Sequence, residues 1–259
     1  MPRTLNRYNR IHIDGRDYSG AGRSFGPLVY DPQEVDMTAP MGDTVHGFLP
    51  DLPNITPTVF NGVMDNTATT GLQTNLTGAG VARTVMCIVG GIAAPVIGSP
   101  CYNGIFTQKN YEAVESNGLI TVTMQLGDWD EAGTAGLNYR QPWGNMLHLM
   151  GSETAVNSAN TNMDGGAQST LGGVMWYQVT SITGGTGVTL WLDDSATGVG
   201  AWANVASSNV TIPQASAPCA GFLALATNAT VRQYVRWQIV FNGGATACTF
   251  AMAFVRGLA

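Results

Sequence analysis

Apolar and polar positions alternate with a period of two along much of this chain. In "LITVTMQLGDW", Ile120, Val122, Met124 and Leu126 fall on one side while Thr121, Thr123 and Gln125 fall on the other, the pattern of a half-buried strand. Upstream, "RIHIDG", "PLVYD" followed by "EVDMTA", "NITPTVFNG", "RTVMCIVGG" and "GIFTQKNYEAV" also read as strands. Residues 65–80, "DNTATTGLQTNLTGAG", break the alternation. They open with capping residue types and close with Gly78 and Gly80, which predicts one short helix weakened by Gly71 and its threonines.

Downstream the pattern is β throughout: "GGVMWYQVTSITGG", "TGVTLWLDDS", "PCAGFLALAT", "ATVRQYVRWQIVFNGG" and "ACTFAMAFVRG". In "VRQYVRWQIVF", Val231, Gln233, Val235, Trp237, Ile239 and Phe241 share one face, and Arg232, Tyr234, Arg236, Gln238 and Val240 the other. Asn242-Gly243-Gly244 between two strong strands is hairpin chemistry. "GVGAWANVASSNVTIPQAS" adds one or two edge strands. Some seven short strands with turns at this spacing predict an immunoglobulin-like or jelly-roll β-sandwich. Between the halves, "GSETAVNSANTNMDGGAQSTLGG" is nearly devoid of apolar residues and reads as a linker or exposed loop. The expected organisation is mainly β: a sandwich or barrel with one short helix over residues 1–150, a linker or exposed loop over 151–172, and a second sandwich over 173–259.

Composition changes what such a chain is expected to do. Charged residues are 11% of its 259 residues, against roughly 25% in an average globular protein. Glycine, serine, threonine, asparagine and alanine fill the gap, giving a neutral polar surface suited to burial against copies of itself. The net charge of -6 argues against a sequence-reading nucleic-acid binder, which needs clustered cations. Arg3, Arg7, Arg10, Arg16 and Arg23 do crowd the start, but Asp14 and Asp17 are interleaved, so solvated or intersubunit pairing is the reading taken. No apolar run reaches a membrane span; the longest, "VMCIVGGIAAPVIG", is broken by Gly90, Gly91 and Pro95. No signal peptide is visible behind the arginine-rich start. Cys87, Cys101, Cys219 and Cys248 are scattered, with no C-x-x-C spacing, and read as free thiols rather than a disulfide framework or zinc site.

No segment carries readable reaction chemistry, and no cofactor is expected. His12 alternates with Ile11 and Ile13 as a solvent-face or interface residue; His46 lies in a loop; neither these nor His148 sits beside a readable nucleophile. Asp128, Asp130 and Glu131 alternate in "LGDWDEAG" without EF-hand spacing, and Asp193-Asp194 ends a strand, so both groups read as turns. Neither makes a glycosidase pair. The glycine runs lack the strand–glycine–helix context of a phosphate cradle.

Against this background, "VDMTAPMGDTVHGFLPDLPNITPTVFNGVMD", with the helix "NTATTGLQTNL" and strand "RTVMCIVG" behind it, resembles the tail tube (major tail) proteins of long-tailed bacteriophages and prophages. The resemblance lies in Thr38-Ala39, Gly42-Asp43 and Leu49-Pro50-Asp51-Leu52, with Asp51 where the family often has glycine. "RIHIDGRDYSGAGRSFG" is similar to the family's opening strand, and "ESNGLITVTMQLG" to the strand closing its tube domain, so the likeness covers about residues 8–130. The second half resembles the extra sandwich domains carried on tube exteriors. The resemblance implies a non-enzymatic virion protein of the tail, made in the host cytoplasm and polymerising as stacked hexameric rings around a DNA-conducting lumen. Its partners would be itself and other tail proteins such as the tape measure and tail terminator, with DNA passing unbound and no membrane contact. Residues Thr38, Ala39, Gly42, Asp43, Leu49, Pro50, Asp51 and Leu52 would form an assembly loop. Candidate lumen carboxylates are Asp14, Asp17, Glu112, Glu115 and Asp128. Two readings compete with this one: a capsid decoration or other accessory virion protein, and a glycan-binding β-sandwich using the tryptophans and Asp193-Asp194.

Overall fold

The computed structural model describes residues 8–26, 28, 30–31, 34–36, 48–50, 54–55, 58–90, 93–128, 143–154 and 161–257. The chain opens with β1 (Arg10–Ile13), a turn at Asp14-Gly15, and β2 (Arg16–Asp17), followed by β3 (Gly22–Gly26). Four short strands come next, β4 (Tyr30–Asp31), β5 (Glu34–Asp36), β6 (Phe48–Pro50) and β7 (Asn54–Ile55), pairing as β4 with β7 and β5 with β6. Then come β8 (Thr58–Val63), the helix α1 (Leu72–Asn75), β9 (Ala82–Ile88), β10 (Pro100–Gln108), β11 (Glu112–Ser116) and β12 (Leu119–Asp128). The second half supplies β13 (Trp143–Glu153), β14 (Met163–Asp164), β15 (Gly173–Thr183), β16 (Gly187–Ser195), β17 (Ala203–Asn204), β18 (Val210–Pro213), β19 (Cys219–Ala224), β20 (Tyr234–Asn242) and β21 (Ala247–Arg256). The described residues are mainly β, with curled antiparallel sheets and one short α-helix.

Both halves share a sheet. Its path runs β19-β15-β21-β13-β10-β12-β8-β3, with β9 and β1 continuing from the other side of β10. β10 is the junction: Pro100–Tyr102 pair with β13, Phe106–Gln108 pair with β12, and its other side pairs with β9 along most of its length. A second sheet, β14-β20-β16 with β17 and β18 at its margin, lies over the β13-β21-β15-β19 portion and completes a sandwich.

Three apolar layers result, and alternation along individual strands decides which layer each residue joins. β9 carries Val85 and Cys87 into the first-half core with Ile13, Phe60, Tyr102, Phe106 and Met124. Its intervening Met86 and Ile88 face the other way, against Cys101, Met146, Trp176, Ala251 and Ala253. β21 shows the same partition: Phe250, Met252 and Phe254 fill the sandwich core with Leu190, Trp237 and Ile239, while Ala251 and Ala253 face β9 and β10. A strand buried on both sides reads as an unbroken apolar run, as "VMCI" and "FAMAFV" do. The middle layer joins the two halves, and β13 runs through residue 150, where the tube-forming part was expected to end. Of the stretch expected as a linker, Met163–Asp164 pair with β20 and Ser169 bridges Val231.

Two local expectations are corrected. The helix expected over residues 65–80 is a single turn, Leu72–Asn75. Asp65 accepts hydrogen bonds from the Thr67 amide and hydroxyl, and the Asn75 amide donates to the carbonyls of Thr69 and Gly71; these side chains offer the backbone partners that a longer helix would have to displace. The turn at Asn242-Gly243-Gly244 forms, with both glycines at positive φ and the Ala245 amide on the Asn242 carbonyl. It does not close a hairpin, because β20 and β21 lie in different sheets and face each other through Trp237, Ile239, Phe250 and Met252. The same dipeptide chemistry serves either arrangement, and burial of both strands' large residues in one core decides between them.

Candidate assembly surface

Along one margin of the shared sheet lie four antiparallel strands in the order β3-β8-β12-β11. Their inner face, Phe60, Val122, Met124 and Leu126, is buried, and three of these four side chains join the first-half core. Their outer face is a cross-strand row of short polar side chains. The Asn61 amide donates to Ser24 Oγ at 2.9 Å and accepts from Thr123 Oγ1 at 2.9 Å, while Thr121 and Gln125 stand on either side of Thr123. Among the described residues, β3 pairs only with β8, and β11 only with β12. Each therefore leaves one row of backbone groups unengaged by another described strand. β11 is exposed along its whole length and carries Glu112 and Glu115, with Val114 at 48% exposure. β3 carries the exposed Arg23 at a register shift opposite β8.

The expected lumen carboxylates Asp14, Asp17, Glu112 and Glu115 do not share a surface. Glu112 lies on the outer face, opposite Thr123, whereas Glu115 lies opposite Ile120 on the core-facing side and accepts the Gly118 amide. Asp14 is committed to structure: its carboxylate accepts from Arg83 Nη1 and the Thr84 amide, both at 2.9 Å, and Arg83 donates in turn to Gln108. Asp17 caps its own turn through the amide and hydroxyl of Ser19. Asp128 ends β12. In the expected assembly loop, Leu49 and Pro50 fall in β6, paired through Val35↔Leu49 and Glu34↔Pro50, while Thr38, Ala39, Gly42, Asp43, Asp51 and Leu52 lie outside the described residues.

The histidines that are described sit in cores. His148 Nδ1 lies 3.0 Å from the Phe250 carbonyl and Nε2 lies 3.1 Å from Glu153, with its ring stacked on Phe250. His12 is 1% exposed and, among the described residues, neither ring nitrogen has a hydrogen-bond partner; Asp17 Oδ1 lies 3.6 Å from Nδ1. Burial, only partly offset by Asp17 and reinforced by Arg10, lowers its pKa from 6.5 to about 4. The folded protein thus holds His12 neutral at pH values where the unfolded chain is already protonated. The stability this confers is complete above pH 6.5 and is lost as pH falls from 6.5 to about 4, by about 3 kcal/mol in all. Urea unfolding at pH 7 and pH 4 measures this loss, and His12→Leu is expected to flatten that limb of the curve.

Sequence reasoning singled out Asp193-Asp194 and the tryptophans but missed the arginine and glutamine that join them in a polar cluster on the outward face of β16 and β20. Asp193 accepts from Arg236 Nη2 and Gln238 Nε2 at 3.0 Å each, and from Trp191 Nε1 at 3.0 Å. Trp202 lies over the Arg236 guanidinium, 4.3 Å from ring centroid to Cζ. Asp194 is held by Arg232 through its side chain and backbone amide. Period two does place Asp193 beside Trp191 and opposite Arg236, and that was the available signal. Among the described residues, no group of histidine, cysteine, aspartate and glutamate side chains could hold a metal ion.

No protein-family profile and no curated protein matches the chain. Solved structures similar over nearly the whole length include the Dit (gp 19.1) protein of SPP1, described as a paradigm of the hub adsorption apparatus in phages infecting Gram-positive hosts. It is 12% identical, covering 96% of this chain and 99% of that one, with a TM-score of 0.33. The phage p2 baseplate in its activated conformation is 8% identical both with Sr, over 95% of this chain and 97% of that one, and with Ca, over 96% and 98%, each at a TM-score of 0.33.

Proposed function

We propose that this chain is a structural protein of a phage tail whose copies join, sheet edge to sheet edge, into rings that stack as a tube. The four-strand unit β3-β8-β12-β11, with a single partner for each outer strand among the described residues, is the observation that carries the reading. Counting directions through three antiparallel pairings leaves β3 and β11 antiparallel to each other. Copies related by rotation about a ring axis keep their strand directions, so β11 of one copy meets β3 of the next antiparallel. The joined sheet then stays antiparallel throughout and has no edge left when the ring closes. Glu112 and Glu115 on one edge and Arg23 on the other give the contact a direction and discourage like edges from pairing. The polar row Ser24–Asn61–Thr123 would face the lumen, and a wall of hydroxyls and amides offers phosphate no cation to hold it. Residues 35–57 are the segment proposed to reach a neighbouring subunit or ring. The motif-level resemblance of residues 8–130 to tail tube proteins supports the same reading.

Negative-stain microscopy of the purified chain is expected to show rings and stacked tubes. Glu112→Arg with Glu115→Arg is expected to disperse them, and adding Arg23→Glu to the same chain to restore them. A wild-type chain that stays monomeric at every concentration and salt would sink the proposal. Rings that never stack would limit it to a single-ring role in the tail.

A further inference from the structure

The outward face of β16 and β20 points to a second function: we propose that it binds a neutral saccharide on Trp191 and Trp202. Both indoles are half-buried on a sheet face away from the sandwich core, unlike Trp176 and Trp237, which are buried. Each is fixed in place. Trp191 is pinned through Nε1 to Asp193, and Trp202 is laid over Arg236, so an aromatic surface is presented with little freedom left to lose on binding. Asp193 and Arg236 are 8% exposed each and bonded to each other at 3.0 Å. A buried pair of this kind seldom contributes net stability over apolar residues of the same volume, and this chain is otherwise poor in charge. What the pair does here is hold two ring faces while cancelling its own charge.

The rim is made of hydroxyls and amides. Thr189 Oγ1 lies 3.0 Å from Thr211 Oγ1, and Asn204 lies 3.1 Å from Asn209, all at the margin of the same face. Apolar ring faces beside neutral donors and acceptors match a pyranose, which presents a C–H face and equatorial hydroxyls. A carboxylated or sulfated sugar would find no unopposed cation in the Asp193–Arg236 pair, and a calcium-bridged sugar would need Asp193 and Asp194 oxygens that the arginines already occupy. Assembly through β3 and β11 does not involve this face, so the two proposals stand independently.

The test is affinity electrophoresis with tryptophan fluorescence on the whole protein, using an α-glucan, a galactan and a mannan, with heparin as the charged control. At least one neutral polymer is expected to retard the protein and shift its emission, with and without a calcium chelator. Trp202→Ala and Trp191→Ala are each expected to weaken that binding roughly tenfold. Trp202→Phe, which retains a ring, is expected to recover part of it, with melting curves checking the fold of each variant. Retardation by none of the three polymers, by heparin alone, or undiminished in Trp202→Ala would overturn the proposal.

Discussion

Gly15→Ala is expected to destabilise the protein by about 3–5 kcal/mol and to part the β1–β2 turn from the C-terminal sandwich. Gly15 sits at φ +80, and a Cβ there would lie 2.4 Å from the Val179 carbonyl oxygen and 2.6 Å from the amide nitrogen and carbonyl oxygen of Cys219. All three atoms are backbone of paired strands β15 and β19, so none can swing aside as a flexible side chain would. The Gly15 amide also donates to Gln178 Oε1 at 2.6 Å, and Gln178 donates onward to the Thr84 carbonyl at 3.1 Å. An added methyl group would open both bonds and leave buried Gln178 with unmet hydrogen-bonding groups. Thermal unfolding reads the loss as a midpoint lower by roughly 10 °C. Amide exchange is expected to localise the opening to residues 12–18 and 176–180. A variant that melts with the wild type would mean that the turn is not wedged against the sandwich.

Asp193→Ala is expected to cost a similar amount, about 3–5 kcal/mol, by leaving the buried Arg236 guanidinium without its carboxylate. Gln238 loses an acceptor and Trp191 its pin at the same time. The diagnostic is the double variant. Replacing both members by apolar residues of like size, Asp193→Leu with Arg236→Met, removes the stranded charge and is expected to restore most of the stability. Chemical denaturation of the two variants separates the accounts: if the pair itself supplied the stability, the double variant would be no better than the single one.

Strand positions and faces were largely legible. Period two in β12 and β20 assigned Val122, Met124 and Leu126, and Val235, Trp237 and Ile239, to the sides they occupy. What was not legible depended on distant partners. The Asp14 carboxylate meets Arg83, 69 residues away, and a strand-end aspartate beside glycine gives no local sign of that. Asp193 read as a turn residue because its local sequence allows one; Arg236 and Gln238, which settle its role, arrive on another strand. The turn at Asn242-Gly243-Gly244 was legible as a turn but not as a passage between sheets, since its local energetics are the same in both cases. β9 was recognised as a strand, while its service to two cores became visible only once both of its faces had partners.

The partition along β21 also sets a timetable for synthesis. Its large residues complete the sandwich and its alanines cover Met86, Ile88 and Cys101, so neither layer can close until residues 247–256 have left the ribosome. The first-half core draws only on residues before 150 and can form earlier. A nascent chain would then wait with one core folded and a greasy flank bare, and any product released short of β21 would carry that flank into solution as a nucleus for clumping.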